Sequence, residues 1–300
     1  MTLLDAARRS SALPLMELCQ AAHDRKLASG RPQTLALYEI EPPGLAETQS
    51  LHSDVVPVAV CCLDRIGHAD LLHALACGFD VIYLQVCSAS QAREHQRQEV
   101  ELVRSLGGLG RIVLFDGAAG VDRRLAARLL PFPAVAPEVL AVGSRRDTAR
   151  ASAAALLPTS VGHAALPEQA PYGTVRLDND LCNSCNSCVW VCPTDALSLT
   201  ENAGALSFVE SLCTQCGLCV SICPQRAMGL EPGMDLTAYA VLPSVLGKER
   251  KQAASGSAGP ASGAAPDAGS EALQTYAAAT PLFSEHDLSS APETRHTGRV

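Results

Sequence analysis

Cys182-Asn183-Ser184-Cys185-Asn186-Ser187-Cys188-Val189-Trp190-Val191-Cys192-Pro193 is followed, 31 positions on, by Cys213-x2-Cys216-x2-Cys219-x3-Cys223-Pro224. Eight of the 13 cysteines lie in these two runs. Three cysteines separated by two residues each let one tight loop wrap three irons of a cubane cluster, and the fourth thiolate comes from elsewhere. In a Cys-x2-Cys-x2-Cys-x3-Cys-Pro run the last cysteine ligates the other cluster, so two copies imply two 4Fe-4S clusters. Helical geometry supports the crossing: if 189–192 continue as a turn, the Cys192 sulfur moves about 6 Å along the axis, away from its own loop. The expected sets are Cys182, Cys185, Cys188 and Cys223 for the first cluster, and Cys213, Cys216, Cys219 and Cys192 for the second. Pro193 and Pro224 would stop each turn after its crossing ligand. Zinc sites usually pair two Cys-x2-Cys knuckles, which leaves a third cysteine surplus. A disulfide framework belongs with export, to which nothing here points.

Around the loops, 172–177 reads as a strand leading into the first cysteine run, 197–199 and 206–209 as a following pair, and 228–230 as the close of the second copy. The repeated unit is strand, loop, short helix, strand. Trp190 and Val191, between Cys188 and Cys192, are expected to shield a cluster from water. Seven acidic residues (Asp178, Asp180, Asp195, Glu201, Glu210, Glu231, Asp235) face only Arg176 and Arg226 between Pro171 and Asp235, which suggests an acidic, solvated face. On these motifs the segment 172–246 resembles the two-cluster bacterial-type ferredoxins. The resemblance implies a ferredoxin-like α+β domain that transfers single electrons.

Upstream, short β-rich runs at 34–40, 55–61, 81–86 and 111–115 alternate with helical stretches at 69–78 and 91–106. Continuous apolar runs alternating with helices read as buried parallel strands in βαβ units. Residues 34–158 are therefore expected to form a small parallel-sheet, three-layer α/β domain, closed by a helix at 145–157 that Ser144 caps. Gly107-Gly108-Leu109-Gly110 follows a helix and precedes a strand, the wrong context for a dinucleotide turn, and no Gly-x4-Gly-Lys-Ser/Thr loop is present. Gly143-Ser144-Arg145-Arg146 reads as a helix cap, with an anion on its free N–H groups as the alternative. Cys61, Cys62 and Cys87 fall at the C-terminal ends of predicted strands, where open α/β sheets place ligands, yet cysteines in apolar runs usually pack.

Val60-Cys61-Cys62-Leu63-Asp64-Arg65-Ile66, then Gly78-Phe79-Asp80-Val81-Ile82 and Cys87 before a helix, resemble the delta-subunit domain of methyl-viologen-reducing hydrogenases. That family implies an electron-transfer module with a 2Fe-2S cluster, and Cys62 and Cys87 fall on two of its cysteine positions. A further family cysteine is replaced here by Ala92, and the early cysteine-rich motif has no counterpart around 35–39, so packing is the expectation for these thiols. The combination of an α/β half, Pro171-Tyr172-Gly173-Thr174 and the cysteine runs is also similar to multi-cluster iron–sulfur proteins found beside bacterial formate dehydrogenases. This likeness implies formate dehydrogenase or another oxidoreductase as redox partner.

The remaining segments are 1–33, expected to be two amphipathic helices broken near Pro14; a proline-marked linker at 159–171; and an Ala/Gly/Ser/Pro-rich tail at 247–300 with too little to bury against its entropy, expected to be disordered. A net charge of −8 without a basic stripe argues against nucleic acid. The most apolar run, 129–142, carries Pro131, Pro133, Pro137 and Glu138 and cannot span a membrane. A cytoplasmic location follows. No nucleophile, base or paired-carboxylate motif stands out, so the chain reads as an electron carrier. A permanent wiring subunit of a larger complex, and a redox sensor or assembly factor, are the alternatives.

Overall fold

The computed structural model of the chain describes residues 13–39, 55–116, 133–136, 140, 143–200 and 204–247, all within one compact unit, Met1–Lys251. The four apolar runs become strands β1 (Thr34–Tyr38), β2 (Val55–Ala59), β3 (Val81–Gln85) and β4 (Ile112–Phe115). They pair in the order β2-β1-β3-β4, every pair parallel. Because successive side chains on a strand point to opposite faces, each run divides between two cores. Leu35, Leu37, Val58, Ile82, Leu84 and Ile112 join the main core. Ala36, Val55, Val81, Tyr83 and Phe115 form a second buried cluster.

Helices α1 (Leu13–Ser29), α2 (His68–Cys77), α3 (Ser90–Val103) and α4 (Arg145–Leu156) complete the main core. Among the described residues no helix joins the second buried cluster, so they form two layers; the first N-terminal helix and the tail expected beyond residue 247 fall on residues outside the described ones. Pro14 sits in the first turn of α1, where its missing N–H has no intrahelical partner to lose. Ser144 caps α4 by accepting from the Asp147 N–H, and Asp147 reaches back to Ser144, a reciprocal cap. The Gly107–Gly110 stretch is a helix-to-strand connection: Gly107 has φ 98°, and a Cβ there would lie 2.8 Å from Leu156 Cβ. At the N-terminal ends of β1 and β3, the fully buried Asp80 pairs with Lys26 Nζ at 2.8 Å and accepts from the Gln33 N–H at 2.7 Å.

The cysteine-rich half begins where the α/β half ends. Within 159–171, read as a linker, lies β5 (His163–Ala165), which pairs antiparallel with β9 (Met228–Asp235). On its other edge β9 pairs with β6 (Gly173–Leu177). A separate antiparallel sheet runs β10 (Ser244–Val245), β8 (Leu206–Phe208), β7 (Leu197–Leu199). Ala164, Tyr172 and Met234 are buried in the same cluster as the α/β helices, so the two halves share one core.

Polar contacts reinforce that junction. Glu99 on α3 accepts from the His68 backbone N–H at 2.5 Å and meets His68 Nδ1 at 2.7 Å; His68 Nε2 meets the Tyr172 hydroxyl at 2.7 Å. With Nδ1–H donating to Glu99, the ring leaves Nε2 facing the Tyr172 hydroxyl, so both ring nitrogens have a partner. The Arg146 guanidinium lies 4.3 Å from the centre of the Tyr172 ring. Burial alone would raise the Glu99 carboxyl, but hydrogen bonds from His68 hold it below its ordinary value of 4.5. A carboxyl depressed in the folded state adds stability that is complete above the unfolded pKa and is lost as pH falls through the folded one. The stability gap between wild type and Glu99→Gln, read from urea midpoints, should therefore be on the order of 1 kcal/mol at neutral pH, the group being partly solvated. It should shrink as pH drops below 4.5. A gap of constant size at every pH would show that the ionised carboxyl contributes nothing.

Candidate iron–sulfur site

The 31-residue repeat of the sequence is also a repeat of the backbone. Helix α5 (Ser187–Val191) recurs as α6 (Leu218–Ile222), and β7 recurs as the first three residues of β9. Left-handed residues recur at the same offset: Ser184 (φ 58°) and Gln215 (54°), Asn186 (63°) and Gly217 (76°), Asp195 (53°) and Arg226 (51°). For residues other than glycine this conformation costs about 1 kcal/mol or more each, so its repetition marks loops whose tight curl the fold imposes. Each loop enters a short helix one residue before its third cysteine.

The strand pairing interleaves the copies. The strand that opens the first copy, β6, pairs with β9, which closes the second, and β8, which opens the second, pairs with β7, which closes the first. Leu177 lies opposite Met228, and Phe208 opposite Leu197. Neither copy is a closed unit, because each one's hydrogen-bond ladder is made with the other.

Two cavities result. Cys182, Cys185, Cys188 and Cys223 line one, together with Leu177, Leu206 and Met228. Cys213, Cys216, Cys219 and Cys192 line the other, beside Val175, Phe208 and Leu230. Each cavity thus collects three thiols from one copy and the last thiol of the other. Donors sit on the sulfurs: Ser184 N–H on Cys182 at 3.4 Å, Ala227 N–H on Cys223 at 3.3 Å, and Gln215 Nε2 on Cys213 at 3.5 Å. Such donors orient the sulfurs and tune a bound cluster. Burial alone would raise the Cys192 thiol, but hydrogen bonds from Thr194, Leu197 and Ala196 outweigh it and hold the thiol below its ordinary value. Cys219, more deeply enclosed, is pushed by burial to about 11.

Spacing separates a cluster from a single ion. Among the described residues, the set of three or more Cys, His, Asp or Glu donors lying mutually within 4.8 Å is Cys19, His73 and Cys77. The eight repeat cysteines form no such set, so each four-thiol cavity is wider than a mononuclear zinc site. A donor set of four sulfurs spread around each cavity fits a cubane; the walls of the second cavity are largely apolar, while Asn179, Asn183 and Gln225 also line the first.

Other expectations fare differently. Trp190 is 86% exposed, so it does not shield a cavity; its position on the outer face of the five-residue α5 points it to solvent. Glu210 and Glu231 are not free members of an acidic face, since Arg150 approaches Glu210 at 2.7 Å and Arg176 bonds Glu231 at 2.5 Å. Arg145 is turned onto Asp70, and Arg146 donates to the carbonyls of Pro171 at 2.8 Å and Cys213 at 2.6 Å, so both arginines after Ser144 serve protein contacts. Cys61 is exposed and Cys62 half-buried, while Cys87 is buried with its N–H donated to Gln96. These three are not gathered with a third donor at single-ion spacing. Sequence reading did not single out Cys19, His73 and Cys77; the signal it passed over is His73-x3-Cys77 on one helix.

Residues 174–224 match a protein-family model, the 4Fe-4S dicluster domain. The match runs from β6 to the second Cys-Pro and so spans both cysteine runs. Comparison with curated proteins returned no match. No helix among the described residues is long and apolar enough to cross a membrane. The segment is thus similar to iron–sulfur modules of the dicluster type, and its chemistry is that of at least one 4Fe-4S cluster.

Proposed function

We propose that this chain carries electrons through two 4Fe-4S clusters between redox partner proteins of the cytoplasm, as a ferredoxin-type module built onto an α/β half. The observation that carries the reading is the pair of cavities, each lined by four cysteines drawn three and one from the two copies. When bound, each cluster supplies one-electron transfer and no bond-making chemistry. The chain's own residues hold the irons, donate hydrogen bonds to the sulfurs, and place Val175 and Phe208 in the wall of one cavity and Met228 in that of the other.

Partners would meet the module near its cluster loops. Leu181, Trp190, Leu218 and Ile222, all on those loops or their helices, are exposed. Exposed apolar residues close together suit a protein contact. The same surface supports a second reading, in which the chain is a permanent wiring subunit and the contact is constant. A formate dehydrogenase is the partner class suggested by the sequence resemblance.

Iron and sulfide analysis after anaerobic reconstitution tests the proposal. Two complete ligand sets predict about eight irons and eight sulfides per chain. A value near four would overturn the two-cluster reading, and zinc in place of iron would overturn both. Recovery of a stoichiometric catalytic chain from anaerobic cells would decide for the permanent subunit.

A further inference from the structure

Cys19 lies on α1, and His73 and Cys77 lie four residues apart on α2, hence on one face of that helix. Cys19 and Cys77 are fully buried and His73 is 3% exposed. The two sulfurs and a ring nitrogen all fall within 4.8 Å of one another. Both ring nitrogens of His73 lack a hydrogen-bond partner. Buried polar groups in native proteins are nearly always bonded, and an orphaned one costs about 1–3 kcal/mol. A histidine used only as filling would be replaced at a gain by leucine, so the ring needs a partner that its protein neighbours do not supply.

We infer that Cys19, His73 and Cys77 form a metal site, distinct from the cluster cavities, which takes one thiophilic d10 ion, zinc(II) or copper(I), and ties α1 to α2. The donors suit such an ion: thiolate and imidazole are the ligands both metals prefer. Metal–sulfur and metal–nitrogen bonds of roughly 2.3 and 2.0 Å put bound donors about 3.5–4 Å apart, which small side-chain rotations from the observed spacing reach. Zinc(II) with two thiolates, or copper(I) with one thiolate and one thiol, leaves no net charge in the apolar surroundings. The scaffold is rigid where precision is needed. A Cβ on Gly78 would lie 2.9 Å from Ala22 Cβ and 3.0 Å from the Cys19 carbonyl, so the glycine lets the two helices approach this closely. Asp70, on the same helix, is already held by the Gly67 N–H and Arg145 and stays outside the donor set. A Cys19–Cys77 disulfide would use the sulfurs but leave His73 without a partner. Because the site is closed, the ion would enter as the helices come together.

The test uses the full chain with its clusters in place, incubated anaerobically with zinc(II), or separately with copper(I), each buffered by a competing chelator, and analysed for metals. The expected result is one zinc or copper per chain beyond the iron. Cys19→Ala/Cys77→Ala and His73→Phe should lose that ion while keeping wild-type iron content and cluster spectra, which also shows that they fold. Should the variants fail to fold, X-ray absorption on the wild type decides: two sulfurs and at least one nitrogen around the ion support the site. An ion with four sulfur ligands has entered a cluster cavity and overturns it. No ion beyond iron, an ion kept equally by Cys19→Ala/Cys77→Ala, or a Cys19–Cys77 disulfide in the native protein would each overturn it as well.

Discussion

Cys192→Ser should abolish or convert the same spectroscopic centre as Cys216→Ser, and Cys223→Ser the same one as Cys185→Ser. Each substitution should remove about four irons per chain, or convert one cubane to a labile three-iron form, while the other centre keeps its signal. The reason is geometric. Cys192 follows the short helix α5, which carries it out of its own loop and into the cavity lined by Cys213, Cys216 and Cys219. Cys223, at the end of α6, enters the cavity lined by Cys182, Cys185 and Cys188 in the same way. Electron paramagnetic resonance of the four reduced variants reads the outcome directly. If Cys192→Ser matched Cys185→Ser instead, each run would close on its own cluster and the crossed assignment would be wrong.

The strands cross between the copies as the cavity linings do, with a consequence for folding. Since β6 pairs with β9 and β7 with β8, and each cavity is lined by cysteines of both copies, ladder and cavity lining both run from copy to copy. The small core between them holds Val175, Leu197, Phe208 and Met228 beside Cys213 and Cys219. This core is small beside the entropy of ordering two long loops, so cluster binding is expected to supply much of the stability of the loops themselves.

What was legible in the sequence followed from local rules. The four parallel strands were visible because strands buried on both faces read as short apolar runs, and the α4 cap because Ser144 follows Gly143 at the start of a helical stretch; the reciprocal bond from Asp147 came only with the structure. The eight cysteines announced themselves by spacing alone. The junction between halves did not, because it is made by residues with no motif: His68, Glu99, Arg146 and Tyr172 are far apart in the chain and meet only once the halves pack. Trp190 was misjudged for a related reason. Position between two cysteines says that a residue is near a cluster, whereas the direction of its side chain depends on which face of a five-residue helix it occupies. Cys19, His73 and Cys77 were hidden because one of the three comes from another helix.

Arg150→Ala should destabilise the chain by roughly 3 kcal/mol, the usual consequence of leaving a buried charge unpaired. Arg150 and Glu210 are only 12% and 11% exposed and approach to 2.7 Å as a close ion pair rather than an aligned hydrogen bond. Arg150 also bonds the Asp235 carbonyl at the end of β9. Burial raises the Glu210 carboxyl despite the arginine, so without Arg150 the carboxyl would have to take up a proton or draw water into the junction. Glu210 opens the 3-10 turn Glu210–Leu212, and its carbonyl accepts from the Cys213 N–H at 3.0 Å. Arg146, one turn earlier on α4, holds the Cys213 carbonyl. Helix α4 therefore grips the start of the second cysteine run on both sides of the Cys213 peptide, and among the described residues no such contact from α4 reaches Cys182. Arg150→Ala should accordingly speed iron release to a chelator from the Cys213-containing cluster more than from the other. Arg150→Leu/Glu210→Leu should recover most of the stability, because removing both charges also removes their desolvation cost. If the double variant were as unstable as Arg150→Ala, lost packing rather than the orphaned carboxylate would be the cause. If both clusters were lost at the same faster rate, α4 would support the cysteine-rich half as a whole and not the second loop in particular.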